Sequence, residues 1–597
     1  MAVLLTIPLF VFSEPESARA ATAVDGFSRP FSISQEYEFS GRTSINATLR
    51  MEGEKARYFV DDDYWNARSI SERQEILQQI NRLADEFDKR IYPIETAFWG
   101  SESTLGIDND PKIVILMANL IDTAGGYYDT VHHFPKSKFP ESNAMDMIFL
   151  NIRTIRNEKK GFAFLAHEFQ HLISFNQKNL LRQTSDDIWL NELRSEYSVI
   201  LLGYDDIYAE SNLKRRTSAF LEEPSDSLTE WANKPADYGQ VAVLAEYLTS
   251  HYGANILKNS LHSNLSNFSS LNQALRDNGY NVNFADVFLR WAVANALSDV
   301  SLGTDYGYFR EGLSQELRVP ATRAISNLNE GVKIQIVETF KDWQAKWIWF
   351  SGIAGGTKNV LKLNLSGEKQ DFFRGAAIVF YQNDTREVQF LDFSNPGSED
   401  VFIDFNLGME KVILIPVKME KTGAFTDKES FSDLVITAER VAEVPKISGI
   451  TPQRQGNIGP GTVRPADFGL REGDFIRAEG DNDVYIINDF GFKRLVLSPQ
   501  ICLLYGHLGK RGCFAAVKAV SPQVRDAFKT SYFFTDGESK DGRIYFLEIT
   551  GDDSAVLRRV NLSGEDFIRQ GGNFSAVFLF NTREKNTYPL GAEIENL

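Results

Sequence analysis

Residues 161–173 read Gly-Phe-Ala-Phe-Leu-Ala-His-Glu-Phe-Gln-His-Leu-Ile, and they contain a His-Glu-x-x-His motif at His167, Glu168 and His171. On a helix, residues four positions apart lie on one face, so both imidazoles can bind one metal ion. Glu168 lies beside that ion without binding it, where its carboxylate can accept a proton from an attacking water. The motif therefore predicts a zinc site on a helix. The alternative is a surface helix with two unrelated histidines.

A catalytic zinc site needs three protein ligands, and Glu192 is the candidate for the third. It lies on the next predicted helix, after enough residues for one helix to end and the chain to reverse. A glutamate inside an apolar run also needs a partner, which a metal ion would supply. Glu196 follows one helical turn later and is predicted to hold the second N–H of His167 or His171. The alternative for Glu196 is a solvated side chain.

The sequence around the motif predicts an α+β domain, with strands first and helices second. The predicted elements are a helix at 71–87, strands at 112–118 and 145–151, and helices at 162–175, 189–202 and 238–252. Apolar spacing supports each of them, and further helices are expected to about residue 315. Ser71 and Gln74 are predicted to cap the first helix.

From about residue 340, short β-rich runs alternate with turn residues, which is typical of a β-sandwich. The runs lie at 347–350, 360–365, 376–381, 388–393, 401–405, 412–416 and 434–438. A segment rich in Gly, Pro and Gln then predicts a linker. The predicted regions are a signal peptide (1–20), a zinc metallopeptidase domain (21–330), a β-sandwich (331–442), a linker (443–468) and a β-rich repeat module (469–597).

The repeat module is predicted from self-similarity. The run at 484–487 and the run at 544–547 each lead through a glycine to basic residues, and 577–580 resembles a third strand. This tail resembles a module at the C-termini of surface proteins of very small uncultured bacteria. That resemblance implies an association with the cell surface.

The zinc motif resembles that of the gluzincins, the thermolysin-like clan of metallopeptidases, because Asn-Glu-x-x-Ser-Glu follows at 191–196. Over roughly residues 45–260 the chain is similar to the hyicolysin family of bacterial secreted metallopeptidases. The similar segments, in shared order, are 87–100, 125–129, 142–151, the zinc helix, 189–197 and 238–240. The resemblance implies a zincin-like domain, a third zinc ligand at Glu192 and hydrolysis of protein or peptide substrates. The chain departs from the family pattern at Leu193 and Arg194, where the family has Gly and a small or apolar residue.

Peptide hydrolysis also needs a donor that stabilises the oxyanion of the reaction. Tyr238 is the first candidate, because it opens a predicted helix within a similar segment. His251 and Tyr197 are alternatives, and each of the three could instead be an ordinary packed side chain. The strand at 145–151 is predicted to form the sheet edge on which substrate pairs.

Two other functions stay open at this point. A gluzincin aminopeptidase would carry a Gly-x-Met-Glu-Asn signature, which residues 143–146 match only in part. An inactive cell-surface or adhesion protein on a peptidase scaffold is the alternative from another class. The joint presence of all four motif residues favours a zinc endopeptidase.

The N-terminus predicts export. An apolar run at 2–12 precedes Ala18-Arg19-Ala20, a signal-peptidase pattern with cleavage expected after Ala20. No basic residue precedes that run, so a buried strand is the alternative, and 21–44 could be a short propeptide. The formal charge of −18 excludes nucleic acid and anionic membranes as partners of the whole protein. No later run of about eighteen apolar residues predicts a membrane span.

Four further features are predicted to carry no metal chemistry. Cys502 and Cys513 form either a disulfide or two buried apolar side chains. His132-His133 is interpreted as a loop pair, Asp108-Asn109-Asp110 as a turn, and Asp61-Asp62-Asp63 as a solvated acidic turn.

Overall fold

The computed structural model divides into two compact units. The first comprises Met1–Asn278 and Asn283–Val444, and the second Gly279–Val282 and Pro445–Leu597. The described residues are 22–23, 26–280, 282–326, 328–351, 358, 360–367, 373–392, 400–404, 409–419, 421, 430–442, 463–468, 470–478, 483–505, 517–536, 543–551, 554–563, 566–567, 570 and 572–595. The expected signal peptide, most of the expected linker and Cys513 lie outside them. Among the described residues, no helix has the length and apolar character needed to span a bilayer.

The first unit opens with a seven-stranded sheet. Its strands are β1 (Thr22–Ala23), β2 (Ser28–Ser32), β3 (Ser44–Glu52), β4 (Ala56–Asp61), β5 (Ile113–Ala118), β6 (Gly126–Tyr127) and β7 (Met147–Asn151). β4, β5 and β7 run parallel, and every residue of β5 and β7 is buried, which confirms both predicted strands. β1 and β2 pair with β3, so part of the segment considered as a propeptide belongs to the sheet.

The strand β6 occupies the edge of this sheet. It pairs antiparallel with β7 through Gly126↔Leu150 and Tyr127↔Phe149. The prediction that 145–151 forms the edge is therefore wrong, because this two-residue strand covers β7 on its outer side.

Helices fill the rest of this part of the first unit. They are α1 (Asp62–Asn66), α2 (Ile70–Glu86), α3 (Tyr92–Trp99), α4 (Glu158–Ser174), α5 (Ile188–Leu201), α6 (Asn212–Glu222), α7 (Pro235–Tyr252), α8 (Asn255–Leu261), α9 (Asn267–Asp277), α10 (Phe284–Leu297) and α11 (Glu311–Glu316). The predicted helices are confirmed, with boundaries shifted by a few residues. α4 packs on α5 and α5 packs on α7, so the motif helix lies beside the next two helices that carry candidate residues.

The capping box of α2 differs from the predicted one. The hydroxyl of Ser69 accepts from the Glu72 amide, and the Glu72 carboxylate accepts from the Ser69 amide. Ser69 has the extended backbone that an N-cap requires, whereas Ser71 already lies inside the helix. The prediction of Ser71 and Gln74 is therefore wrong by two residues.

Two further sheets of the first unit enclose one hydrophobic core. Their strands are β8 (Arg323–Ser326), β9 (Lys333–Phe340), β10 (Gln344–Ala345), β11 (Ile348–Ser351), β12 (Val360–Ser366), β13 (Phe373–Tyr381), β14 (Arg386–Asp392), β15 (Asp400–Asp404), β16 (Met409–Lys418) and β17 (Ser432–Val441). One sheet has the order β14-β13-β16-β11-β8 with β10 on β16, and the other has β15-β12-β17-β9. Leu363 and Ile436 of one sheet share a core with Phe350, Val379 and Leu414 of the other.

The second unit contains two copies of one strand arrangement. Its strands are β18 (Phe475–Ala478), β19 (Val484–Ile487), β20 (Phe492–Leu495), β21 (Lys518–Val520), β22 (Lys529–Thr530), β23 (Phe533–Asp536), β24 (Ile544–Gly551), β25 (Ser554–Arg559) and β26 (Val577–Phe580). In each copy an antiparallel meander is followed by a strand that returns parallel to its first strand: β18-β19-β20 with β21, and β23-β24-β25 with β26. The two runs predicted to repeat, 484–487 and 544–547, form the equivalent middle strands β19 and β24. The prediction of 577–580 as a third strand of the same sort is wrong, because β26 is the return strand of the second copy. Short helices at Pro499–Leu503, Pro522–Ala527 and Thr582–Lys585 complete this unit.

Candidate metal centre

The helix α4 presents the motif histidines on its inner side. Asn157 caps its start by accepting from the Lys160 amide, and the buried Leu165, Phe169 and Leu172 anchor it in the core. This register directs His167 and His171 towards α5, one turn apart.

Three candidate ligands converge between α4 and α5. The Nε2 atom of His167 lies 3.0 Å from Glu192 Oε2 and 3.3 Å from His171 Nε2. His171 Nε2 lies 3.5 Å from Glu192 Oε1. One ligand atom from each residue lies within 4.8 Å of the others, so the three could hold one metal ion. The donor set of two imidazoles and one carboxylate suits zinc.

A neighbouring serine fixes the tautomer of His171 that metal binding requires. Ser195 donates its hydroxyl proton to Gln170 Oε1 at 2.7 Å, and its oxygen lies 3.2 Å from His171 Nδ1. Because that proton is already given to Gln170, the serine oxygen accepts from Nδ1–H. The lone pair of His171 is then on Nε2, which faces the other two ligands. The residues present therefore fit a metal ion.

The charge balance of the centre favours an ionised Glu192. Burial alone would raise the pKa of this carboxyl, but the positive charges and hydrogen bonds that His171 and His167 supply in their protonated form outweigh burial, so the pKa lies below its usual range. A carboxylate, not a carboxylic acid, is the form that binds metal.

Glu196 lies on the far side of His167. Its Oε1 is 3.6 Å from His167 Nδ1, and its carboxylate accepts hydrogen bonds from Arg216 at 2.5 Å and Asn212 at 2.8 Å. Its side chain is 1% exposed, so the solvated alternative is wrong. The cationic Arg216 compensates the buried charge of this carboxylate.

Glu168 is buried between α4 and the sheet edge. Burial raises the pKa of its carboxyl to about 8; the charges of Glu192 and Glu196 add to the rise and His171 opposes it. A Cβ atom at Gly126 would lie 3.0 Å from Glu168 Cγ and 2.7 Å from the Phe149 carbonyl oxygen. Glycine at position 126 therefore allows the edge strand to approach the carboxylate of Glu168.

The candidates for the oxyanion donor lie in different places. The ring of Tyr238 is 6.5 Å from that of His167, and its hydroxyl donates to Asn233 Oδ1 at 2.9 Å. Burial and then the charges of Glu192 and Glu168 raise the pKa of Tyr238. His251 instead lies 3.0 Å from the carbonyl oxygen of Gly307, and Tyr197 packs against Trp99. Of the three, Tyr238 is therefore the one held beside a candidate ligand.

The departure from the family pattern at Arg194 has a structural cause. Arg194 is fully buried, pairs with Asp186 at 2.8 Å and donates to Ser260 Oγ at 3.0 Å. Lys178 also lies 3.4 Å from Asp186. The arginine thus connects the segment before α5 to α8 through Asp186 and Ser260, neither of which is a candidate ligand.

The histidine pair lies in a 3-10 turn (Thr130–His133) of the connection between β6 and β7, which agrees with its interpretation as a loop pair. His132 Nδ1 accepts from the Asn143 amide at 3.0 Å, and burial lowers the pKa of His132 to about 4. His133 lies 2.8 Å from Asp146 and 2.7 Å from the Tyr128 hydroxyl. These interactions explain the histidine pair without a metal.

Asp61, the first residue of the expected solvated turn, is buried. It caps α1 through the Asp63 amide and pairs with Arg42 at 2.5 Å. At the second acidic segment, Asn109 has a φ of 56°, which is typical of a turn, and Asp110 pairs with Arg57. Neither segment needs a cation.

Sequence reasoning missed two residues near the centre. Ser195 has no signal beyond its position three residues after Glu192, and only the packing of α5 on α4 shows its contact with His171. Tyr37 lies far away in the sequence, yet Asn233 Nδ2 donates to its hydroxyl at 3.5 Å. No local pattern could have revealed it.

Comparisons with known proteins support a metalloprotease. No family model matches the chain. The chain is 26% identical over 252 residues to the neutral metalloprotease ShpI of Staphylococcus hyicus, a match that covers 38% of this chain and 53% of that protein. It thus spans about half the length of this curated relative. Together with the three converging ligands, the similarity supports a metal-dependent hydrolase, with zinc as the suggested metal.

Among solved structures, two similarities are weak. One is to a mutant of PliG-Ec, a periplasmic inhibitor of g-type lysozyme from Escherichia coli, at 13% identity and a TM-score of 0.14, covering 20% of this chain and 100% of that one. The other is to the capsular polysaccharide assembling protein CapF of Staphylococcus aureus, at 10% identity and a TM-score of 0.12, covering 32% and 62%. At these scores neither carries weight for fold or function.

Proposed function

We propose that the chain is a secreted zinc-dependent endopeptidase with a zincin-like domain. The observation that carries this proposal is the convergence of His167, His171 and Glu192, whose ligand atoms lie within 4.8 Å of one another. The similarity to a metalloprotease supports it independently.

The chain's own residues suit peptide hydrolysis. Zinc held by His167, His171 and Glu192 would supply a Lewis acid that polarises the scissile carbonyl and activates water. Glu168, which follows His167 on α4, is the residue proposed to accept a proton from the attacking water and pass it to the leaving amine. Glu196 orients His167 through its Nδ1 side.

Substrate would pair with the free side of β6. This strand is the sheet edge, and Gly126 brings it against Glu168. An extended peptide added there would hydrogen bond to the backbone, with little demand on side chains. Tyr238, held beside His167, is proposed as one oxyanion donor, and in this role its hydroxyl exchanges its hydrogen bond to Asn233 for one to substrate.

The structure offers no support for the aminopeptidase alternative. Asn143 and Asp146, which partly match the exopeptidase signature, are buried and engaged inside the protein. Asn143 bonds to the backbone of Ser32, and Asp146 pairs with His133. Neither is free to bind a substrate amine. Export through residues 1–20 and cell-surface association through the second unit stay proposals.

The proposed function is tested on the full chain by zinc analysis and casein cleavage, with and without a chelator. Glu168→Gln is expected to keep zinc and lose about 100-fold or more of the cleavage rate, because a general base contributes about that much. Glu158→Gln is the matched control, since this exposed residue lies on the same helix and pairs with Arg82 at 2.6 Å, away from the candidate ligands.

One zinc per chain with chelator-sensitive cleavage supports the proposal, and internal cuts in casein distinguish an endopeptidase from an aminopeptidase. A wild-type chain that binds no zinc would rule the proposal out. Full activity in Glu168→Gln would rule out the assigned base.

A further inference from the structure

Tyr37, in the turn between β2 and β3, is fixed from three sides. Its carbonyl oxygen accepts from the Ile121 amide at 2.9 Å. Its ring stacks on that of Tyr127, with centroids 4.7 Å apart. Its hydroxyl oxygen accepts from Asn233 Nδ2 at 3.5 Å. A half-buried tyrosine held this firmly loses little entropy when its hydroxyl binds a ligand.

Asn233 connects this hydroxyl to that of Tyr238. The side chain of Asn233 donates through Nδ2 to Tyr37 and accepts through Oδ1 from Tyr238. Asn233 has a φ of 58°, a left-handed conformation that asparagine tolerates better than most residues. Its amide therefore lies between two phenol groups that come from opposite ends of the first 240 residues.

The two hydroxyls differ in what their protons do. The proton of Tyr238 is given to Asn233 Oδ1. Tyr37 accepts from the same amide, so its own proton is directed elsewhere, and no acceptor for it lies among the residues that the structure describes. Tyr37 thus offers an O–H donor that is not used within the described part of the chain.

This donor lies near the reaction centre. Tyr127, on which the Tyr37 ring stacks, follows Gly126, and Gly126 packs against Glu168. Burial and then Glu36 raise the pKa of Tyr37, and the charges of Glu168 and Glu192 raise it further. The same two carboxylates act on Tyr238. Both phenols therefore lie within electrostatic range of the two key glutamates.

We propose that Tyr37 donates a hydrogen bond to the oxyanion that develops on the scissile carbonyl, with Asn233 as a positioning residue. This inference rests on the proposed peptidase function. A preorganised donor stabilises the charge of the transition state more than the neutral substrate, so its loss lowers kcat and leaves KM nearly unchanged.

The test compares Tyr37→Phe with Tyr204→Phe in the full chain. Tyr204 is a control phenol of the first unit, whose hydroxyl donates to Glu86 at 2.7 Å. A peptide found in the casein digest is resynthesised as a fluorogenic substrate and as its phosphonate analogue, which mimics the tetrahedral oxyanion. For Tyr37→Phe we expect kcat about 100-fold lower, in line with the loss of one oxyanion donor, and KM within about twofold. Phosphonate affinity by calorimetry is expected to fall by a similar factor at unchanged zinc content.

A second variant, Asn233→Asp, is nearly isosteric and tests the direction of the hydrogen bond. A carboxylate can only accept, so it would take the proton of Tyr37 and redirect it away from substrate. As a single substitution, Asn233→Asp is expected to lower kcat. Combined with Tyr37→Phe, it is expected to lower kcat no further.

The outcomes separate the two proposals. If the wild type cleaves casein and Tyr37→Phe equals it in kcat and in phosphonate affinity, the role of Tyr37 is overturned and the peptidase function is left intact. A loss of zinc or a parallel rise in KM in Tyr37→Phe would indicate a structural role and equally overturn it. A wild-type chain without zinc or cleavage overturns both.

Discussion

Both units bury a cluster of polar side chains: the candidate metal centre in the first unit and a charged cluster in the second. The two clusters differ in whether each hydrogen-bond acceptor has a donor. In the second unit, Arg494 pairs with Glu584 through two contacts of 2.9 and 3.2 Å. Tyr588 donates to the same carboxylate at 2.9 Å, and Tyr505 also donates to it. Both charged side chains are at most 1% exposed. Every acceptor of this cluster meets a donor.

In the candidate metal centre, hydrogen-bond acceptor atoms of neighbouring side chains lie next to one another. Ser195 holds a proton on the Nδ1 atom of His171, so its Nε2 lone pair faces His167 Nε2 at 3.3 Å and Glu192 at 3.5 Å. Such an arrangement is unfavourable unless a cation joins it. The comparison teaches that a buried polar cluster indicates a ligand when its own donors cannot satisfy its acceptors.

The largest expected effect comes from removing one ligand. His167→Ala is expected to lose zinc and at least about 1000-fold of the cleavage rate, because two ligands hold a catalytic metal poorly. Zinc is measured by elemental analysis and cleavage on casein. His251→Ala is the control, since this histidine bonds to the carbonyl of Gly307 and is expected to keep zinc. Stoichiometric zinc in His167→Ala would contradict the assignment of His167 as a ligand.

The stability of the second unit is expected to depend on its buried ion pair between Arg494 and Glu584. Glu584→Ala is expected to destabilise this unit by about 3–5 kcal/mol, because it leaves the Arg494 charge buried and unpaired. Zinc content should not change. All eight tryptophans lie between Trp65 and Trp349, so tryptophan fluorescence follows the first unit alone. Urea unfolding of the second unit is therefore followed by far-UV circular dichroism and limited proteolysis.

The control for that change is Glu593→Ala. Glu593 pairs with Arg559 at 3.2 Å on the surface, and such pairs contribute at most about 1 kcal/mol. If Glu584→Ala costs no more than Glu593→Ala, the buried cluster does not depend on its complementary charges.

The candidate metal ligands could be predicted from the sequence because their signals are local. Two histidines one turn apart and a glutamate within an apolar helix depend only on helical periodicity, which sequence carries directly. The repeat of the second unit was visible for the same reason, since Tyr485 and Tyr545 occupy matching strands, β19 and β24.

The supporting residues were not predictable, because they depend on packing between distant segments. Tyr37 meets Asn233 only through the fold, and β6 becomes the sheet edge only because two residues pair with β7. Arg194 looked like a fault in the motif until its pairing with Asp186 was visible. Short-range patterns identify the ligands, whereas tertiary contacts determine what surrounds them.

The smallest effect is expected at Ser195. This residue holds the proton on His171 Nδ1 and thereby leaves the Nε2 atom as an acceptor in the candidate metal centre. Ser195→Ala removes the acceptor for His171 Nδ1–H. Zinc affinity is expected to fall about tenfold, as is typical when a group that orients a metal ligand is lost. Competition with a chromogenic chelator measures it. Ser198→Ala is the matched control on the same helix, because Ser198 accepts from Trp99 and does not contact a ligand in the described structure. Equal affinity in Ser195→Ala and wild type would mean that Ser195 does not set the tautomer of His171, and the contrast between the two clusters would then lack its chemical basis.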